Sequence, residues 1–201
     1  MASAQRIGIF GGAFDPPHLT HAALVNLAVT QLQLDRLVVI PTGQAWHKTR
    51  ALSPSSNRLA MAGLAFSGIP KVEVDDREIR REGPSYTVET LLEIQKENPG
   101  AELFLLIGGD QAHALSSWHR WHEIVQIATI CVAERIDSTR ANAGFLPPTV
   151  VKSRFLRLEM PPSDISATEI RARIAKHEDI SPLVGGRVAR YIAQHHLYLH
   201  D

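Results

Sequence analysis

Gly8-Ile9-Phe10-Gly11-Gly12-Ala13-Phe14-Asp15-Pro16-Pro17-His18-Leu19-Thr20-His21 is the stretch from which the fold can be read. A short apolar run, Arg6 to Phe10, reads as a buried strand and breaks at the paired glycines Gly11 and Gly12. A loop stiffened by Pro16 and Pro17 then leads into a helix beginning at about His18. A glycine turn lets backbone N–H groups approach a phosphate without Cβ obstruction, and a helix N-terminus adds partial positive charge. His18 and His21 are three apart, so a helix places them on one face at that end. Turn, dipole and imidazoles together suit phosphate chemistry. The competing readings are plain: Asp15 as a helix cap, the histidines as surface residues or zinc ligands. No cysteine pair or metalloprotease helix motif accompanies the histidines. The glycines form neither Gly-x-Gly-x-x-Gly nor a loop ending Gly-Lys-Ser/Thr.

Outward from this stretch, apolar spacing (Leu24, Leu27, Ala28, Leu32) carries the first helix to about Leu32. Arg36 to Ile40 reads as a second strand stopped by Pro41. A polar loop to Ser56 follows, with Trp46, His47 and Lys48. A helix over Asn57–Phe66, a short strand at Val72–Val74 and the charged segment Asp75–Arg81 come next. Tyr86 to Glu97 is predicted helical, and Leu103 to Ile107 is a uniformly apolar strand running into Gly108-Gly109-Asp110. Trp118–Gln126 is predicted as a helix, Thr129–Ala133 as a strand, Asp137–Thr149 as a mobile loop and Phe155–Leu158 as the last strand. Helices over Ala167–Lys176 and Leu183–His195 form a closing pair. Strands alternating with helices predict an α/β fold, a doubly wound parallel sheet with helices on both faces. Ligands in such sheets bind beyond the carboxyl ends of the strands, which selects residues 11–21, 41–48, 108–119 and 161–171.

Composition narrows the function. The chain has 201 residues, 44% hydrophobic and 21% charged, with 21 basic and 21 acidic side chains. Zero net charge argues against a general nucleic-acid surface. The single cysteine, Cys131, lies in the apolar run Thr129–Ala133 and reads as a buried strand residue. It excludes an internal disulfide and suits a reducing cytoplasm. No signal-peptide core is evident near Met1, and no apolar run approaches the ~18 residues needed to span a bilayer. The expected location is cytoplasmic, without a membrane partner; a homo-oligomer stays open.

Further constellations fit the phosphate reading. In Ile165-Ser166-Ala167-Thr168-Glu169-Ile170-Arg171, Ser166 and Glu169 have capping-box spacing, which alone makes a good helix start. The same geometry lets the Ser166 and Thr168 hydroxyls, free N–H groups and Arg171 surround a triphosphate. Asp110 at a strand end is either part of a turn or an acceptor for ribose hydroxyls. Trp118 and Trp121 are core residues or, given their polar neighbours, a stacking surface for a flat heterocycle.

Gly-Gly-x-Phe-Asp-Pro-x-His-x-x-His after a first strand, with Ile-Ser-x-Thr-x-Ile-Arg near the C-terminus, closely resembles the bacterial nicotinate-nucleotide adenylyltransferase family. Arg77-Glu78, Pro84-Ser85-Tyr86-Thr87, Ile107-Gly108-Gly109-Asp110 and Ser117-Trp118 extend the resemblance over nearly the whole chain. Departures are Thr20 where the family usually has glycine, Ala45-Trp46 where it has prolines before His47-Lys48, and His119 where an aromatic often follows the tryptophan. The resemblance implies a single Rossmann-like nucleotidyltransferase domain over residues 1–201. Its substrates would be ATP and nicotinate mononucleotide, with Mg²⁺ held mainly by ATP phosphates and no protein metal site. The implied catalytic residues are His18, His21, Lys48 and Arg171. ATP would meet Gly11, Gly12, Phe14, Asp110, Ser166, Thr168 and Arg171, and the mononucleotide Tyr86, Thr87, Trp118 and His119. Nicotinamide mononucleotide or phosphopantetheine are alternative acceptors, and a non-catalytic nucleotide-binding module is the alternative outside enzymes. A redox enzyme is disfavoured by the missing Gly-x-Gly-x-x-Gly turn.

Overall fold

The computed structural model describes residues 4–43, 51–135, 154–161 and 163–199. Lys48 and the predicted loop over 137–149 lie outside the described residues. The strands are β1 (Arg6–Gly12), β2 (Arg36–Pro41), β3 (Val72–Val74), β4 (Glu102–Gly108), β5 (Ala128–Arg135) and β6 (Phe155–Met160). They form one sheet in the order β3-β2-β1-β4-β5-β6, with every neighbouring pair parallel.

Alternation along the strands builds a core on each face. Ile7 and Ile9 of β1, Val38 and Ile40 of β2, and Leu103, Leu105 and Ile107 of β4 join one cluster. It also takes in Val88, Leu91 and Ile94 of α4 (Thr87–Glu97) and Ile124 and Val125 of α6 (Trp121–Ile127). The intervening residues Phe10, Leu37, Val39, Phe104 and Leu106 join the other. There they meet Leu24, Val25 and Ala28 of α1 (Leu19–Gln31) and Ala62 and Phe66 of α2 (Ser55–Phe66). Cys131 sits fully buried in this second core, and burial pushes its thiol pKa up to about 12.

Several predicted boundaries are corrected. The helix predicted from Trp118 begins at Trp121, because Arg120 takes a left-handed conformation (φ 53°) before it. Trp118 itself is extended, just after a short 3₁₀ turn at Leu115–Ser117. Gly108-Gly109-Asp110 is not a plain turn but opens α5 (Gly109–Ala114). The charged segment contains a short helix, α3 (Arg77–Arg80), anchored where Arg77 pairs with Asp75 and Glu97. The closing pair is three helices: α7 (Ala167–Ala175), α8 (Ser181–Val184) and α9 (Gly186–Gln194). Gly185, at φ 81°, breaks the predicted Leu183–His195 helix between the last two. Ile170, Ile174, Val184, Val188 and Ile192 from these helices pack with Met61 of α2 in a third cluster. Among the described residues no helix is long and apolar enough to cross a membrane.

Chain direction across the sheet reverses between β1 and β4, so the loops leaving these adjacent strands diverge and open a crevice. The predicted ligand segments after β1, β4 and β6 all leave the carboxyl ends of their strands.

Candidate active site

The β1 loop is built on an aromatic floor. Phe14 takes a left-handed backbone conformation (φ 48°) and buries its ring. The ring packs edge-on against Phe10 (centroids 5.4 Å), His21 (5.3 Å) and Phe66 (5.5 Å). A Cβ on Gly12 would approach this ring to 3.0 Å, so glycine fits the turn where a side chain would press on its support. Any contact of Phe14 with nucleotide therefore falls to its backbone.

His18 occupies the N-cap of α1 and is buried. Its imidazole stacks on that of His21 at 3.7 Å between centroids, 25° from parallel. The His18 backbone N–H donates to Nδ1 of His21 at 3.2 Å, so a neutral His21 carries its proton on Nε2. Burial, and secondarily His18, hold the His21 pKa well below the usual value. The unfolded chain then binds a proton that the fold refuses, so stability rises with pH between the depressed value and about 6.5, and is lost as pH falls through that window. Thermal melts at pH 7 and pH 5 should show a smaller loss for His21→Asn than for the unsubstituted protein; equal losses would remove His21 as the cause.

Asp15 does not cap the helix. Its carboxylate accepts from Tyr198 Oη (2.6 Å) and from the Ser53 N–H (3.2 Å), and its carbonyl accepts from Arg171 Nη1 (2.8 Å). Arg171 also donates to Thr168 Oγ1 at 3.3 Å. Ser166 is the N-cap of α7, its Oγ accepting from the Glu169 N–H at 3.2 Å. The Glu169 carboxylate pairs with Arg173 (2.7 Å). Thr20 meets Ser163 hydroxyl to hydroxyl at 2.6 Å, a second tie between the β1 loop and the segment before α7. The two motifs about 150 residues apart in sequence are thus brought together, with His18, His21, Ser166, Thr168 and Arg171 on the joined segments.

A second group forms beyond β4. Tyr86 is the N-cap of α4, preceding Thr87, and its ring lies 4.4 Å from that of His119. Trp118 is half-buried against the neighbouring core cluster, and Asp110 is exposed in the first turn of α5.

Residues not singled out as site residues hold this end of the sheet. Arg58 of α2, 2% exposed, donates to Ala13 O (3.0 Å), Gly43 O (3.2 Å) and Ser53 O (3.0 Å). Gly43 follows β2. Its N–H donates to the Glu78 carboxylate, and a Cβ there would overlap the Glu78 carbonyl. Burial raises the Glu78 pKa, opposed by the Thr90 hydroxyl bonded at 2.8 Å. Among the described residues no group of His, Cys, Asp and Glu side chains is arranged to hold a metal ion. The donors that converge, imidazole, hydroxyl and guanidinium, are anion-binding groups.

A family model described as cytidylyltransferase-like matches residues 9–173. The chain is 61% identical over 194 residues to a protein of Albidiferax ferrireducens named "Probable nicotinate-nucleotide adenylyltransferase", covering 96% of this chain and 98% of that one. It is 41% identical over 201 residues to the protein of that name from Methylibium petroleiphilum, covering 96% and 92%. Among solved structures it resembles Plasmodium falciparum nicotinic acid mononucleotide adenylyltransferase complexed with NaAD. There the TM-score is 0.79 over 98% of both chains at 18% identity, a likeness of fold.

Proposed function

The chain belongs to the cytidylyltransferase-like family and, within it, to the nicotinate-nucleotide adenylyltransferases, and we propose that it transfers the adenylyl group of ATP to nicotinate mononucleotide in NAD biosynthesis. A phosphate oxygen of the mononucleotide attacks the α-phosphorus of ATP in line. The bond to the β-phosphate oxygen breaks, leaving nicotinate adenine dinucleotide and pyrophosphate. The acceptor is itself the nucleophile, so the protein's part is to align two polyanions and stabilise charge on the transferring and leaving groups.

His18 and His21, at the N-terminus of α1, are assigned to the α- and β-phosphates. Gly11, Gly12 and Phe14 offer backbone, and Lys48, Ser166, Thr168 and Arg171 hold the triphosphate. Asp110 takes a ribose. Trp118 stacks the pyridine ring, and the backbone near Tyr86, Thr87 and His119 receives the nicotinate carboxylate. Mg²⁺, which would be carried by ATP with no side chain of this protein assigned to hold it, would neutralise charge on the leaving pyrophosphate. The whole chain acts as one cytoplasmic domain.

The observation that carries this reading is the joining of the two phosphate-type motifs by the Arg171–Asp15 and Thr20–Ser163 contacts, where the sheet changes direction. Purified protein with Mg²⁺-ATP should release pyrophosphate with nicotinate mononucleotide at least about tenfold faster, in kcat/KM, than with nicotinamide mononucleotide, and not with phosphopantetheine. ATP binding without pyrophosphate release for any acceptor would overturn it.

A further inference from the structure

Asp15 has no substrate in the reaction above, yet three distant parts of the chain end on it. Tyr198 donates to Oδ1, the Ser53 N–H to Oδ2 and Arg171 to the carbonyl. Tyr198 lies 183 residues from Asp15, in a left-handed backbone conformation (φ 63°) beyond α9. It packs in the same cluster as Ile170 and Ile174 of α7, the helix that carries Arg171. Both ends of the Tyr198–Asp15 bond are buried, at 7% and 4% exposure. Burial raises the phenol pKa, so Tyr198 remains a donor throughout the working pH range.

We infer that Tyr198 is a positioning residue for triphosphate binding, acting through Asp15 on Arg171. A carboxylate held at both oxygens has one orientation, and the peptide that carries it is fixed with it. The Asp15 carbonyl is then a stationary acceptor for Arg171 Nη1. An arginine docked in this way loses less side-chain freedom when a phosphate arrives, and that preorganisation favours binding. Without the phenolic hydroxyl, one carboxylate oxygen loses its short bond and the loop gains room to rock. The inference rests on Arg171 being a triphosphate ligand, and the experiment separates the two claims.

Tyr198→Phe, Arg171→Ala and the double variant should be compared by steady-state kinetics with ATP and nicotinate mononucleotide varied in turn, at a temperature where melts show each variant folded. Tyr198→Phe is expected to raise KM for ATP about fivefold, on the scale of one hydrogen bond, while leaving KM for the mononucleotide within about twofold. In the Arg171→Ala background the same change should alter KM for ATP less than about twofold, because its route is gone. An equal effect in both backgrounds, or a lowered melting temperature with unchanged KM for ATP, would mark Tyr198 as merely structural and overturn the inference alone. An Arg171→Ala enzyme with normal KM for ATP would overturn the ligand assignment and the inference with it.

Discussion

His18→Ala is expected to lower kcat about a hundredfold while changing the dissociation constant for ATP by less than about threefold. His18 is buried at the N-cap of α1, and its ring is held against His21 at 3.7 Å. A donor fixed in this way, at the positive end of a helix, reorganises little as charge accumulates on the reacting phosphates. Its contribution is therefore largest in the transition state. On the assignment proposed above, ground-state ATP would keep its contacts with the β1 loop amides, Ser166, Thr168 and Arg171. The substitution leaves Phe14, His21 and their aromatic floor in place. Turnover from pyrophosphate release, set beside ATP binding by calorimetry, decides the matter. Equal losses in both would deny His18 a transition-state role and leave it as a substrate contact.

Much of this site could be read in the sequence because its signals are local. Paired glycines end β1, prolines stiffen the loop and histidines sit three apart at a helix start, all within a few residues of one another. Strand-to-helix alternation placed the segments after β1, β4 and β6 at one end of the sheet, and period-2 burial in β1, β2 and β4 follows from covering both faces. Trp118 escaped its predicted helix because a single left-handed residue, Arg120, resets the chain, and arginine carries no signal for that conformation. Gly185 is a break that the sequence marks by its glycine, which at φ 81° ends α8 inside the predicted Leu183–His195 helix.

What the sequence concealed is long-range. Tyr198 is one of three tyrosines and lies near a chain end, and nothing in its neighbourhood points to Asp15. Arg58 lies in an amphipathic helix, where an arginine reads as exposed by default. Its partners are backbone carbonyls, which have no identity in a sequence. Asp15 was legible as a polar residue before a helix, but its role as the meeting point of three segments exists only once they are folded together.

Arg58→Met should therefore be the most destabilising single change near the site. The guanidinium spans the loops after β1 and β2 through Ala13 O and Gly43 O, and holds Ser53 O as a third point. Asp15 interacts favourably with its charge, which offsets part of the cost of burying it. Methionine has a comparable reach but no donor and no charge. It leaves three carbonyls without this donor and removes a cation that interacts favourably with Asp15, so the expected loss is about 3–5 kcal/mol. For a chain of this length that lowers the melting temperature by roughly 10 °C. Arg58→Lys keeps the charge on a flexible stem but lacks the planar fork, and should recover only part of the loss. Because Gly43 also depends on Glu78 for its N–H, this residue just after β2 is held from both sides, and freeing one side should raise KM for ATP even where the protein remains folded. Melting curves and ATP kinetics on the two variants test both halves. A loss under about 1 kcal/mol for methionine would mean that water replaces the guanidinium and that the loops do not depend on it.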